Sequence, residues 1–225
     1  MSNLDLQRTY RRRVIIFLAC VAAGLAASWF AWQVAATLSR LDVVEAERDG
    51  WQRPNDVIAA LAIRDGGTVA DLGCGSGYFT LRISSKRAVR VLAEDIRTLP
   101  LLFLRLRAIL SRRSNIGIIH GTADDPKLPP ASVDAVLIAN TYHEFAHPRA
   151  ILNAVRGALR PRGRLVILDR APGAGGDPAT HHEIARAAVE DEVRNAGFTL
   201  LERRDPFIEP PGDEPWWLIV ATKSN

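Results

Sequence analysis

The segment Val69–Phe79 reads VADLGCGSGYF: an apolar run containing β-branched Val69 that ends in Asp71, then glycines at alternate positions, Gly73, Gly75 and Gly77. Glycine has no Cβ and enters positive φ without a clash, so this spacing predicts a turn tight enough for a ligand to lie against the main chain. Tyr78-Phe79-Thr80-Leu81-Arg82-Ile83 follows and opens a helix. Strand, loop and helix N-terminus together make a polar concavity with N–H groups, suited to a nucleotide or a carboxylate.

Dinucleotide folds use G-x-G-x-x-G, whose helix N-terminus meets a pyrophosphate. Here the pattern is G-x-G-x-G with an acid two residues ahead of it, and in this the segment resembles the first motif of the class I S-adenosylmethionine-dependent methyltransferases. The competing reading is a glycine-rich turn without a ligand. The resemblance implies an α/β fold, a Rossmann-like doubly wound seven-stranded sheet with the last strand antiparallel. It also implies S-adenosyl-L-methionine as cofactor, bound around Asp71, Gly73, Cys74, Gly75, Gly77 and Tyr78.

The next strand, Val89–Ile96, ends in two acids, Glu94 and Asp95. A carboxylate there reaches ribose hydroxyls with both oxygens. The resemblance favours Asp95, with Glu94 as the alternative and a solvated strand end or helix N-cap as the competing reading of either. After the strand Ile116–Ile119 comes His120-Gly121-Thr122-Ala123-Asp124-Asp125-Pro126. Relatives usually carry Gly-Asp-Ala at this adenine-edge loop. Thr122 stands where that Asp is common, so the adenine contact falls to Thr122, Ala123 and Asp124, or the loop is simply an Asx-Pro turn.

A fourth strand, Ser132–Asn140, ends in Thr141-Tyr142-His143-Glu144-Phe145. Open α/β sheets bind ligands beyond the carboxyl ends of their strands, which places Asn140 near the cofactor and this cluster near the transferred methyl group. His143 is the candidate base, because an imidazole takes a proton near neutral pH, with Tyr142 beside it. Both residues also fit a role as pocket wall, since positioning alone can drive transfer from a sulfonium. The Asn/Asp-Pro-Pro signature of nucleic-acid amino-methyltransferases is absent.

Pro148–Leu159 reads as a helix, Arg160–Gly163 as a turn, and Arg164–Asp169 as a fifth strand. Ala171–Pro178 is a glycine-rich loop of the kind that holds acceptors in this family. His181, His182 and Glu183 then open a helix to about Ala196; with no cysteine cluster or i,i+4 histidine pair, no metal is expected. Thr199–Arg203 and Trp216–Ala221 fit the sixth and seventh strands, linked through Pro210–Pro215. The domain reading is 64–225 for the catalytic unit and 39–63 for a leading helical segment in which Trp51 is either a cofactor wall or a packing residue.

Residues 1–13 form a basic flank, and Val14–Leu38 carries no charged side chain over 25 residues. As a helix it spans roughly 37 Å against a hydrocarbon core of ~30 Å. An uncleaved single-pass anchor is favoured over a cleaved signal at Val34-Ala35-Ala36 or a twin-arginine signal. Arg8, Arg11, Arg12 and Arg13 ahead of the run put the N-terminus in the cytoplasm and export the domain. Cofactor supply argues instead for the cytoplasmic face, and the reading leans to that side. The net charge of +4 falls to about +1 once those four arginines are set against Asp5, which leaves no nucleic-acid footprint. Arg97–Arg113 interleaves arginines with leucines. It suits either anionic lipid or, as favoured here, a sheet-covering helix with a solvated outer face. Cys20 and Cys74 do not form a disulfide framework.

The expected function is a membrane-associated methyltransferase acting on a small-molecule or lipid-like acceptor. A membrane-tethered S-adenosylmethionine-binding or scaffold protein without transfer activity is the alternative; a dehydrogenase is disfavoured by the glycine spacing.

Overall fold

The computed structural model describes residues 3–86, 88–172, 184–210 and 214–224. It divides into two compact units, one up to Glu47 and one from Arg48 onward. The first unit consists of most of helix α1, Asn3–Trp51, which runs without a break through the apolar segment and past it. Within Tyr10–Trp51 an 18-residue window reaches a mean hydropathy of 2.3, and none of it is buried. The helix satisfies its own backbone hydrogen bonds and is long and apolar enough to cross a bilayer. Positive φ at Arg53 breaks the chain before α2, Pro54–Ala60, which starts on proline.

The second unit is a seven-stranded sheet in the order β3-β2-β1-β4-β5-β7-β6. β1 is Thr68–Leu72, β2 Arg90–Asp95, β3 Ile116–His120, β4 Val133–Ala139, β5 Leu159–Arg170, β6 Phe198–Ile208 and β7 Trp216–Lys223. β1 to β5 pair in parallel, and β7 runs antiparallel to both β5 and β6. The central strands read as continuous apolar runs because both faces are covered. One face packs Val136, Ile138, Leu165, Ile167 and Trp217 against α5 (Pro148–Ala158) and α6 (Arg186–Asn195). The other packs Val69, Leu137, Val166 and Leu218 with α2 and α3, Tyr78–Ser84.

Two readings change. The expected turn Arg160–Gly163 lies inside β5, whose register against β4 shifts between Val133 and Ala135; Arg162, at φ 62°, carries the irregularity. The expected helix to Ala196 begins at Arg186 as α6, and His181, His182 and Glu183 lie outside the described residues, as does most of Ala171–Pro178. For the site, the decisive consequence of the topology is at one edge. β1, β2, β4 and β5 all present their carboxyl ends there, and antiparallel β7 returns its first residue, Trp216, opposite Arg170.

Candidate functional site

The glycine loop is shaped by its neighbours. A Cβ on Gly73, at φ 66°, would sit 2.2 Å from Thr141 Cγ2, so the close approach of β1 to the end of β4 demands glycine. Gly75, at φ 54°, faces open space, so its missing side chain leaves room for a ligand at the backbone. Asp71 sits beneath the loop, not on its surface. Its buried carboxylate accepts Thr80 Oγ1–H at 2.6 Å in the first turn of α3, and burial pushes its pKa up to about 7. Arg107 of α4, Thr98–Leu110, donates to Ser76 O at 2.8 Å and ties the loop from the other side.

Beside the loop lies a cavity of about 230 Å³ whose walls include Gly73, Glu94, Asp95, Thr122, Ala123, Thr141 and Glu144. Asp95 accepts the Gly75 N–H at 2.9 Å on Oδ2 and the Arg97 N–H at 2.8 Å on Oδ1, and also pairs with the Arg97 guanidinium. Glu94 reaches under the loop toward Gly121, and burial raises its pKa to about 7, with Asp95 and Asp71 adding to the shift. A concavity walled by Gly73 and by two carboxylates at the strand end fits the cofactor that the sequence implies.

Of the expected cofactor residues, Gly73, Glu94, Asp95, Thr122 and Ala123 line this cavity. The others are placed elsewhere. Cys74 packs with Ala93, Leu101 and Leu104 under the loop, and burial pushes its thiol pKa up. Tyr78 stacks between Arg48 and Arg82, with ring-centre distances of 4.0 and 3.9 Å, and donates to Asp49 Oδ1. Asp124 faces a separate open depression, 3.5 Å from His147. Asn140 turns at φ 55° and buries Oδ1 without a partner.

The segment after β4 forms a 3-10 turn, Tyr142–Glu144, that sends neighbouring side chains in different directions. Tyr142 is rotated into the core, where its hydroxyl donates to Glu192, so it does not reach the cavity as expected of a catalytic residue. His143 Nδ1 lies 2.8 Å from Asp169 Oδ1, and Asp169 also accepts the His143 backbone N–H at 3.2 Å. Asp169 is fully buried at the end of β5. Its carboxylate assigns the proton to Nδ1; Nε2 is 3.9 Å from Glu144, a wall of the cavity, while the His143 side chain itself is buried and does not line that cavity. The sequence reading missed Asp169, although an acid closing a parallel strand at the ligand edge was the available signal.

A further group also went unread. Among the described residues, Arg170 Nε, Trp216 Nε1 and Gln52 Nε2 are buried without hydrogen-bond partners. Arg170 lies 5.8 Å from the Trp216 ring centre, and Trp216 is 5.6 Å from Trp51. Trp51 is thus a packing partner of Trp216 at the sheet edge. Buried donors without partners are costly, and two of these, on Arg170 and Trp216, sit opposite each other at the carboxyl-end edge of the sheet.

A family profile described as a methyltransferase domain matches residues 70–167. An uncharacterized methyltransferase of Mycobacterium bovis is 39% identical over 100 residues, covering 44% of this chain and 38% of that protein. The chain therefore spans well under half the length of the curated relatives it matches. A SAM-dependent methyltransferase from Aquifex aeolicus superposes with a TM-score of 0.65 at 20% identity, covering 75% of this chain and 88% of that one. The [4+2]-cyclase SpnF superposes at 0.68 with 17% identity, covering 77% and 80%. These structural likenesses show the fold, a class I methyltransferase fold, and the cyclase shows that the fold hosts more than one chemistry.

Proposed function

We infer that this chain, which carries a methyltransferase domain over residues 70–167, is an S-adenosylmethionine-dependent methyltransferase. The observation that carries the reading is the cavity formed by the cleared glycine loop, the strand-end carboxylates and Thr141. In this reading Gly73 and Gly75 admit the methionine end, Asp95 binds the ribose hydroxyls, with Glu94 beside it, and Thr122 and Ala123 meet the adenine. Cys74, Tyr78 and Asp71 support the loop from behind it. When bound, the cofactor supplies an electrophilic methyl group on a sulfonium.

The chain's own contribution is positioning and a base. Asp169 holds His143 in one tautomer, and Nε2, 3.9 Å from the cavity residue Glu144, would take the proton from a hydroxyl or amine acceptor. The unpaired donors of Arg170, Trp216 and Gln52, with Trp51 behind them, support a small or lipophilic acceptor that carries a hydrogen-bond-accepting oxygen and a flat apolar part. Helix α1 supports membrane association, with the catalytic unit read as lying on the cytoplasmic face. Protease protection of the domain in sealed vesicles tests that side.

Calorimetry with S-adenosylmethionine and S-adenosylhomocysteine, followed by labelled-methyl transfer into lipid, small-molecule and protein fractions, tests the activity. Absence of binding, together with wild-type behaviour of Asp95→Ala, would overturn it. Binding without transfer into any fraction would favour the alternative, a tethered binding protein.

A further inference from the structure

Helix α4 is apolar on two faces. Leu101, Leu104 and Ala108 pack inward, together with Arg107, which bonds to the glycine loop. At 100° per residue, Leu99, Leu102, Leu106, Ile109 and Leu110 fall on one stripe on the opposite side. The outer face is exposed to solvent and apolar: Leu99, Leu102, Ile109 and Leu110 are 56 to 67% exposed, and Ile96, just ahead of the helix, is 54% exposed. A contiguous run of large aliphatic side chains in water signals a contact surface.

Charge decides the partner. Exposed Arg105 and Arg112 and the half-exposed Arg113 flank the stripe, and no Asp or Glu occurs from Ile96 to Ala123. Two copies meeting through this face would bring their arginines together, which disfavours self-association. A phosphate backbone would satisfy the arginines but leave the leucines in water. An anionic lipid surface takes both, with aliphatic side chains at the acyl boundary and guanidinium groups among the headgroups. We propose that the outer face of α4 is a docking surface for anionic membrane lipid. Ile96 and Arg97 also line the cavity, so docking sets one wall of the candidate site at the bilayer surface. The proposal rests on α4 alone and holds whether or not α1 spans the membrane.

The test uses the full chain with Cys20→Ser, so that the buried Cys74 is the remaining native thiol, and a polarity-sensitive fluorophore on Leu102→Cys or Ile109→Cys. Asp65→Cys, in the exposed loop before β1, is the control. In vesicles of phosphatidylcholine and phosphatidylglycerol, emission at both α4 positions shifts to the blue and is quenched by brominated acyl chains, while the control is not. Pure phosphatidylcholine gives neither effect. Arg105→Glu, Arg112→Glu and Arg113→Glu together abolish the quenching with the thermal melt unchanged, since each arginine near an anionic surface contributes roughly a fivefold gain in lipid affinity. Absence of quenching at Leu102 and Ile109 in anionic vesicles overturns the proposal. So does a blue shift in lipid-free buffer that grows with protein concentration, which would assign the face to a second copy.

Discussion

The two halves of the ligand edge hold their polar groups in opposite ways. On the β1–β2 side, backbone and carboxylates satisfy one another: the Gly75 N–H donates to Asp95, the Cys74 N–H to Glu94 O, and Asp71 holds Thr80. On β5, on β7 and at Gln52 just after α1, three buried donors have no partner among the described residues. A fully bonded site is preorganised for one fixed ligand. Unpaired buried donors cost stability, and in the proposed function an acceptor would satisfy them. The pair His143–Asp169 lies between the two and belongs to the chemistry of either.

The sharpest way to break this division is Asp169→Asn. If the β5 acid serves the base, kcat falls by roughly 10²- to 10⁴-fold while S-adenosylhomocysteine affinity stays at the wild-type value. Equal loss of affinity and turnover would make Asp169 part of the cofactor half. Asp95→Ala is next: losing hydrogen bonds to a charged group weakens S-adenosylhomocysteine binding roughly 10- to 100-fold by calorimetry. Wild-type affinity would transfer the ribose role to Glu94.

The Glu94 alternative has a test of its own. Burial raises the Glu94 pKa to about 7, so its carboxylate is half protonated at neutral pH. A hydroxyl donor prefers the ionised form, so cofactor affinity rises several-fold between pH 6 and pH 8, and Glu94→Gln flattens the profile. Stability of the ligand-free protein moves the other way. Glu94 and Asp71 both have folded pKa values near 7, above their unfolded values of 4.5 and 3.8. The folded state therefore holds protons that the unfolded state has released, and stability present at low pH is lost as pH rises toward 7. The melting temperature should fall from pH 5 to pH 8, by less in Glu94→Gln; a flat profile would mean that both carboxylates are solvated.

The same division explains what could be read from the chain. Val69–Gly77 and the acids closing β2 are legible because a backbone-defined cradle needs particular residue types at fixed local spacing. Asp169 and His143 are 26 residues apart, and Gln52 and Trp216 are far more widely separated, so no local pattern links either pair. Tyr142 is expected near the ligand because it follows the carboxyl end of β4. In the 3-10 turn, however, adjacent side chains diverge, and the apolar surface under α6 takes the aromatic ring. Along the chain of α4 arginines interrupt the leucines, and only the helical period gathers the exposed leucines into one stripe.

Trp216→Phe gives the smallest effect and the finest test of the comparison. The indole is only 4% exposed and its N–H has no partner, so the substitution removes an unsatisfied buried donor along with part of the packing against Trp51. The two changes oppose each other, each on the order of 1 kcal/mol, and the melting temperature stays within a few degrees of wild type. If the donor serves the acceptor, KM for the acceptor rises roughly fivefold, the equivalent of about 1 kcal/mol of hydrogen bonding, while S-adenosylhomocysteine affinity is unchanged. A variant with unchanged KM and lowered stability would return Trp216 to the core and leave Arg170 and Gln52 as the unpaired donors of the acceptor half.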